Sequence, residues 1–288
     1  MEKIFKVYEA LKWASSFLGE HGREAHAAEL LLLDILKINR TTLFMIMRDE
    51  LHAEDFERFQ QAVQRHANGI PVQYIIGFES FFGRMFKVNG DVLIPRPETE
   101  ELIFYALERS DVLFPASAEL LAADIGTGSG AIAVTLKLER PKWQVKAVDL
   151  STKALTIAKN NAASLGADVE FLEGDLLRPL DRSKKLDIVL SNPPYIPYAD
   201  RETMSDVVVK HEPHQALFAD EEGLVLYRKM CEQLPERMNS PGLIGFEVGA
   251  GQGQKVQQML KKAFPQEEVE IVHDINGKDR MVFCRIKA

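Results

Sequence analysis

Asn192-Pro193-Pro194-Tyr195 is the stretch of this chain whose residue types are best suited to chemistry. It follows Leu186-Asp187-Ile188-Val189-Leu190-Ser191, which reads as a buried parallel strand. An Asn and a Tyr are thereby delivered to the carboxyl end of a strand, where open α/β sheets keep their ligands. The two prolines stiffen the backbone and remove two N–H donors, leaving carbonyls that can only accept. Such a loop can grip a planar NH2 group between acceptors, under an aromatic face.

A second loop supplies a partner for that chemistry. Asp124-Ile125-Gly126-Thr127-Gly128-Ser129-Gly130 follows a predicted strand and opens a helix. Its glycines allow a tight turn and close approach of a ligand to the backbone. The spacing G-x-G-x-G is not the G-x-G-x-x-G of dinucleotide-binding folds. Asp149 ends the next strand, where a carboxylate can accept both ribose hydroxyls of a nucleoside. Asp175, after the third strand, could meet an adenine amino group, and Leu176 could pack on the adenine. Taken singly, Asp149 could be a helix cap, in competition with Ser151, and Asp175 a turn residue. Taken with the Asn192 loop, the set selects S-adenosylmethionine, with S-adenosylhomocysteine as product, over a nicotinamide. Hydride transfer has no use for an N-P-P-Y loop.

An amide nitrogen is a poor nucleophile because its lone pair is delocalised, and it becomes positive as the N–C bond forms. A protein can hold the NH2 in line with the methyl group and aim carbonyl dipoles at the developing charge. The Asn192 side-chain oxygen and the Pro193 carbonyl could accept the two N–H bonds, while Tyr195 could stack on the amide. No general base is required, since the proton can leave after the charge develops, and no catalytic His is assigned. This reasoning does not separate a glutamine amide from the amino group of adenine or guanine, which DNA and RNA methyltransferases with related loops modify.

The surrounding elements must position these loops. Val7, Leu11, Ala14 and Leu18 recur at helical spacing, as do Ala27, Leu30, Leu31 and Ile35, so residues 1–70 read as a small helical domain without strands. Residues 71–95 hold β-rich runs, Tyr74-Ile75-Ile76, Phe78 to Phe82 and Met85 to Val88, broken by Gly77, Gly83 and Asn89-Gly90, and read as a hairpin linker. In residues 96–288 a helix starts near Thr99. Strands are then predicted at 120–124, 144–148, 169–172, 186–191, 243–248, 269–273 and 280–285, with helices at 129–138, 152–164, 223–234 and 252–263. That alternation predicts an α/β, Rossmann-like, doubly wound sheet. The short connection Asp274 to Asp279, with Asn276-Gly277, makes the last strand antiparallel.

The chain has 288 residues and a net charge of −8. Proteins that grip phosphate backbones usually carry a basic face, so a nucleic-acid substrate is disfavoured. Met1 to Lys6 lacks the apolar run of a signal peptide, and no stretch approaches the roughly 20 apolar residues of a membrane span; a cytoplasmic location is expected. Cys231 and Cys284 lack C-x-x-C partners and read as buried reduced thiols. His211 and His214 flank Glu212-Pro213, but Pro213 breaks the helix that would align them, so no metal site is expected. Gly249, Gly251 and Gly253 read as a strand-to-helix turn.

The motifs together resemble the HemK/PrmC family of protein-(glutamine-N5) methyltransferases. The likeness rests on Ile70 to Gly77, Phe81-Phe82-Gly83, Leu93-Ile94-Pro95-Arg96-Pro97-Glu98-Thr99-Glu100, Asp124 to Gly130, Asp149, Ser191 to Tyr195, Glu212-Pro213 with Ala216-Leu217, and Asp279-Arg280. It covers nearly the whole chain and is weakest in residues 1–65. The resemblance implies cofactor contacts from Gly126 to Gly130, Asp149, Leu176 and Asn192, and a substrate glutamine held by Asn192 to Tyr195. It implies a class 1 peptide-chain release factor as partner, modified at the glutamine of a Gly-Gly-Gln motif, with the helical domain helping to dock it. Arg65-His66 departs from the paired arginines common in the family, which bears on docking rather than on chemistry. A related branch that modifies a ribosomal protein shares the core motifs. A binding module that has lost its chemistry is disfavoured by the two intact loops.

Overall fold

A computed structural model describes residues 5–287. Residues 1–4, within the segment read above for a signal peptide, and residue 288 lie outside the described residues. The chain divides into two compact units. One takes the residues up to Phe78 together with Ser205–His211, and the other takes Glu79–Met204 and the residues from Glu212 onward.

In the first unit the helices Val7–Glu20, Ala27–Leu36 and Ala53–Ala67 share a core containing Ala14, Leu18, Leu31, Leu32, Phe59 and Val63. Ala14 and Leu18, and Phe59 and Val63, stand four apart, and Ala27, Ala28, Leu31 and Leu32 recur at three- and four-residue spacing, so each helix presents one apolar stripe. Two expectations fail here. Phe5–Lys6 pairs with Glu50–Leu51 as a short antiparallel ladder, too brief to leave an alternating pattern in the sequence. Val72–Ile76 is a single helical turn rather than a strand. Pro71 stands at its N-cap and Gly77 closes it at φ 84°, and these end signals override the β preference of Tyr74-Ile75-Ile76.

Strand Phe78–Phe81, all of it but Phe78 in the second unit, pairs with Arg84–Lys87. Phe82 and Gly83 between them both have positive φ, 49° and 72°, as a tight hairpin turn of type I′ requires. Helix α1 (Pro97–Leu113) follows, with Pro97 at its start. Then come β1 (Leu121–Ile125), α2 (Ala131–Glu139), β2 (Gln144–Asp149), α3 (Thr152–Leu165), β3 (Val169–Glu173) and β4 (Leu186–Ser191). Next are α4 (Val225–Gln233), β5 (Met238–Glu247), α5 (Gly253–Ala263), β6 (Glu268–His273) and β7 (Asp279–Ile286).

The sheet order is β6-β7-β5-β4-β1-β2-β3. β7 runs antiparallel to both its neighbours, while β5, β4, β1, β2 and β3 pair in parallel. Successive residues on β4 point to opposite faces. Ile188 and Leu190 join a core with Leu102 and Ile103 of α1, Ile132 and Leu136 of α2 and Phe283 of β7. Val189 joins the opposite core with Tyr227 of α4, Val256 and Leu260 of α5 and Phe246. A strand apolar on both faces is what a parallel sheet covered by helices on each side demands. Cys231 and Cys284 are buried free thiols. Among the described residues, no helix is long and apolar enough to cross a membrane, and no cluster of His, Cys, Asp or Glu could hold a metal.

Candidate active site

The strand order reverses between β1 and β4, and such a switch point leaves a crevice at the carboxyl ends of the strands. A cavity of about 350 Å³ occupies it. Gly126, Thr127, Gly128, Ser129, Asp149, Asp175, Leu176, Asn192 and Pro194 line the cavity. Gly130, Pro193 and Tyr195 are not among its lining residues.

The glycine loop carries the chain from β1 into α2. Gly126, Gly128 and Gly130 hold φ values of 78°, 55° and 83°, a region that only glycine enters freely. A Cβ at Gly130 would also meet the Ala158 Cβ of α3 at 3.0 Å. Asp124, fully buried beneath the loop, accepts the Thr127 hydroxyl at 2.6 Å and the Ala133 N–H at 3.1 Å. Burial pushes its carboxyl pKa up to about 7 against those hydrogen bonds. Asn161 on α3 ties the surroundings together, donating to the carbonyls of Ser129 and Lys87 and accepting the Lys87 N–H.

Asp149 does not cap α3. One carboxylate oxygen accepts the Gly128 N–H and the other the Ser151 N–H, each at 2.8 Å. Ser151 is the cap, its hydroxyl oxygen accepting the Ala154 N–H at 3.2 Å. Burial raises the Asp149 pKa, opposed by the N–H bonds. After β3, Leu176 takes a positive φ of 53°, and Asp175 pairs with Arg178 at 3.1 Å.

The N-P-P-Y loop is fastened at several points. The Ser191 hydroxyl donates to the Ile125 carbonyl at 2.6 Å, locking β4 to the start of the glycine loop. Asn192 Nδ2 donates to Thr99 Oγ1 at 3.0 Å, and Thr99 Oγ1 donates to Glu247 Oε2 at 2.6 Å. The Glu247 charge also acts on the Tyr195 phenol, and the Tyr195 ring packs on the α4–α5 side core. Burial pushes Glu247 up to about 7, opposed by the Thr99 bond and the Arg280 charge. Burial, then the Glu247 charge, drives the Tyr195 phenol well above its ordinary range. The Gly249–Gly253 turn does more than join strand to helix: it presents Gln252, which holds the backbone carbonyl of Tyr195.

Arg96, which a helix start alone does not require, pairs with the buried Glu212 at 2.5 Å. Thr99, Glu247 and Gln252 were not among the site residues expected from sequence. Glu247 left one signal, a carboxylate inside the apolar run Leu243 to Val248. Thr99 left one as well, its place in the family-like segment Leu93 to Glu100, whereas Gln252 left none beyond ordinary turn composition.

A seven-stranded sheet with its antiparallel strand inserted beside β5, carrying a glycine loop after β1 and N-P-P-Y after β4, defines a Rossmann-like S-adenosylmethionine-dependent methyltransferase. Residues 9–77 match the family described as the PrmC N-terminal domain, and residues 111–220 match the methyltransferase small domain. The chain is 51% identical to the release factor glutamine methyltransferase of Bacillus cereus, over 98% of this chain and 100% of that protein. It is 48% identical to the enzyme of the same description from Bacillus subtilis, over 97% and 98%. A methyltransferase structure from Pyrococcus furiosus superposes with a TM-score of 0.54 at 13% identity, covering 80% of this chain and 98% of that one, which shows the fold alone. The chain belongs to the release factor glutamine methyltransferase family.

Proposed function

We propose that this protein transfers the methyl group of S-adenosylmethionine to the side-chain amide nitrogen (N5) of the glutamine in the Gly-Gly-Gln motif of class 1 release factors, leaving S-adenosylhomocysteine. The observation that carries this reading is that the glycine loop and Asn192 line one cavity and are fastened to each other through Ser191 and Ile125.

The cavity residues suit the cofactor. Asp149 already accepts two backbone N–H bonds, yet a carboxylate has about four lone-pair directions and can also take the ribose hydroxyls. Asp175 offers an acceptor for the adenine amino group, and Leu176 an apolar wall for the ring. Gly126, Thr127, Gly128, Ser129 and Gly130 keep the loop backbone low enough for close approach. When bound, the sulfonium supplies an electrophilic methyl group.

The protein contributes placement and electrostatics. The Asn192 side-chain oxygen and the Pro193 carbonyl would accept the two N–H bonds of the substrate amide and hold its nitrogen toward the methyl donor. Positive charge developing on that nitrogen as it takes the methyl group from the sulfonium would face these two acceptor dipoles. The proton then leaves to solvent. Pro194 stiffens the loop, and Tyr195, its backbone carbonyl held by Gln252, is the residue proposed to stack on the amide.

In this proposal residues 1–70 dock the release factor, 71–95 link, and 96–288 carry the chemistry. Translation termination places the reaction in the cytoplasm, with no membrane and no direct nucleic-acid partner. The test is radiolabelled methyl transfer to a class 1 release factor, to ribosomal proteins, and to DNA or RNA. Label on the release factor, lost when its Gly-Gly-Gln glutamine is replaced, is the expected result. Label only on a ribosomal protein or a nucleic acid would overturn the substrate.

A further inference from the structure

An asparagine amide can present either its oxygen or its NH2 to a ligand, and the two orientations have nearly the same shape. Only the oxygen can accept from a substrate NH2, and nothing within Asn192 selects it. The selection has to come from whatever faces the other end of the amide.

That group is Thr99, on the first turn of α1, which is 4% exposed and buried against β5. Its hydroxyl lies 3.0 Å from Asn192 Nδ2 and 2.6 Å from Glu247 Oε2. A threonine hydroxyl has one proton and two lone pairs. The Glu247 carboxylate, 1% exposed at the end of β5, takes that proton. Thr99 is then left with lone pairs only on the side of Asn192. A flipped Asn192 would set oxygen against oxygen in a buried place, while the NH2 finds an acceptor.

We infer that Thr99 and Glu247 are positioning residues that fix the direction of the Asn192 amide, so that its oxygen rather than its NH2 meets the nitrogen to be methylated. Thr99 lines the cavity beside Asn192, and in this inference both residues act through the Asn192 amide. The inference rests on the proposed transfer to an amide nitrogen, and it adds to that proposal the reason why the amide is held one way round. Thr99 stands on the first turn of α1 and Glu247 is the last residue of β5. Proximity catalysis tolerates little misplacement.

The full-length protein is tested as wild type, Thr99→Val and Thr99→Ser, with Thr99→Ala replacing the valine variant if that does not fold. Two readouts are taken. The first is the side-chain NH2 resonance of Asn192 in a 15N spectrum, assigned by its loss in Asn192→Asp. The second is kcat and KM for methyl transfer to a class 1 release factor. Thr99→Val is expected to shift the Asn192 resonance and to lower kcat on the order of 10- to 100-fold, a loss of the size that misplaced reacting groups produce, with KM changing less than about threefold. Thr99→Ser, which keeps the hydroxyl, is expected to restore both. An unmoved resonance in Thr99→Val, or equal losses in the valine and serine variants, would overturn the inference. A wild type that labels no release factor would overturn the proposed substrate instead, and the resonance would still decide the relay.

Discussion

Gln252 donates its side-chain N–H to the backbone carbonyl of Tyr195 at 2.8 Å and to that of Glu222 at 3.0 Å, while its own carbonyl oxygen accepts the Gly249 N–H at 3.0 Å. One amide therefore joins the end of the acceptor loop, the turn before α4 and the turn before α5. Gln252→Ala should cost about 1 kcal/mol of stability, the net worth of a typical hydrogen bond, and lower methyl transfer. Gln252→Glu has nearly the same shape but sets a carboxylate against two carbonyl oxygens, so it should cost more than the alanine. Denaturant unfolding of both variants decides the order, and a glutamate milder than alanine would refute the donor role.

Asn192→Ala should leave the fold intact and reduce kcat about 100-fold or more, the scale of losing one preorganised group at a developing charge. Single-turnover rates with saturating release factor and cofactor measure it. Near-normal turnover would remove Asn192 from the chemistry.

Asp149→Ala should weaken S-adenosylhomocysteine binding by at least tenfold, through lost ribose contacts and a slackened Gly128 N–H anchor. Calorimetry gives the affinity directly. Equal affinities in variant and wild type would count against the ribose contact.

Glu247 gives a pH signature. The titratable and charged groups facing it are Glu98 from α1, Tyr195 from the acceptor loop and Arg280 from β7, while the Tyr227 hydroxyl on α4 donates to its backbone carbonyl. Its carboxyl titrates near 7 in the fold, raised by burial from 4.5. A protonated Glu247 can donate to Thr99, which frees the Thr99 proton to point at Asn192 and releases the amide direction. Methyl transfer should therefore fall as pH drops through about 7, and Glu247→Gln should flatten that inflection.

The same group fixes a sign for stability. Between pH 4.5 and about 7 the folded state holds a proton on Glu247 that the unfolded chain has lost, so stability must decline as pH rises through this window. The full span amounts to ~3 kcal/mol. Asp124, also raised to about 7 by burial, acts in the same direction, so the comparison that isolates Glu247 is wild type against Glu247→Gln. A stability difference that does not change with pH would show that Glu247 is not the group titrating.

The α/β sheet could be read from sequence because its strands are short apolar runs set between amphipathic helices. β4 was placed at its observed bounds, and the other strands within a few residues except β5, which starts earlier at Met238. The antiparallel direction of β7 followed from the short connection at Asn276-Gly277. What escaped was set by partners distant in the chain. Val72–Ile76 takes its form from its end signals, and Ser205–His211 groups with residues up to Phe78, which no local pattern could announce. At the site, the loops were visible as motifs. The Thr99–Glu247 link was not, because it joins residues 148 apart whose types are ordinary at a helix start and a strand end.

The place of β7 in the sheet carries a consequence for how the protein is made. β6 touches the rest of the sheet only through β7, and β7 is the latest of the seven strands to leave the ribosome. Until it emerges, β5 presents an open apolar edge and β6 has no neighbour to pair with, the condition in which nascent chains aggregate. The β3-β2-β1-β4-β5 portion can assemble vectorially during synthesis, whereas closure by β7 waits for the chain beyond Asp279. Arrest of synthesis in the β6–β7 connection should therefore leave a species that recruits chaperones.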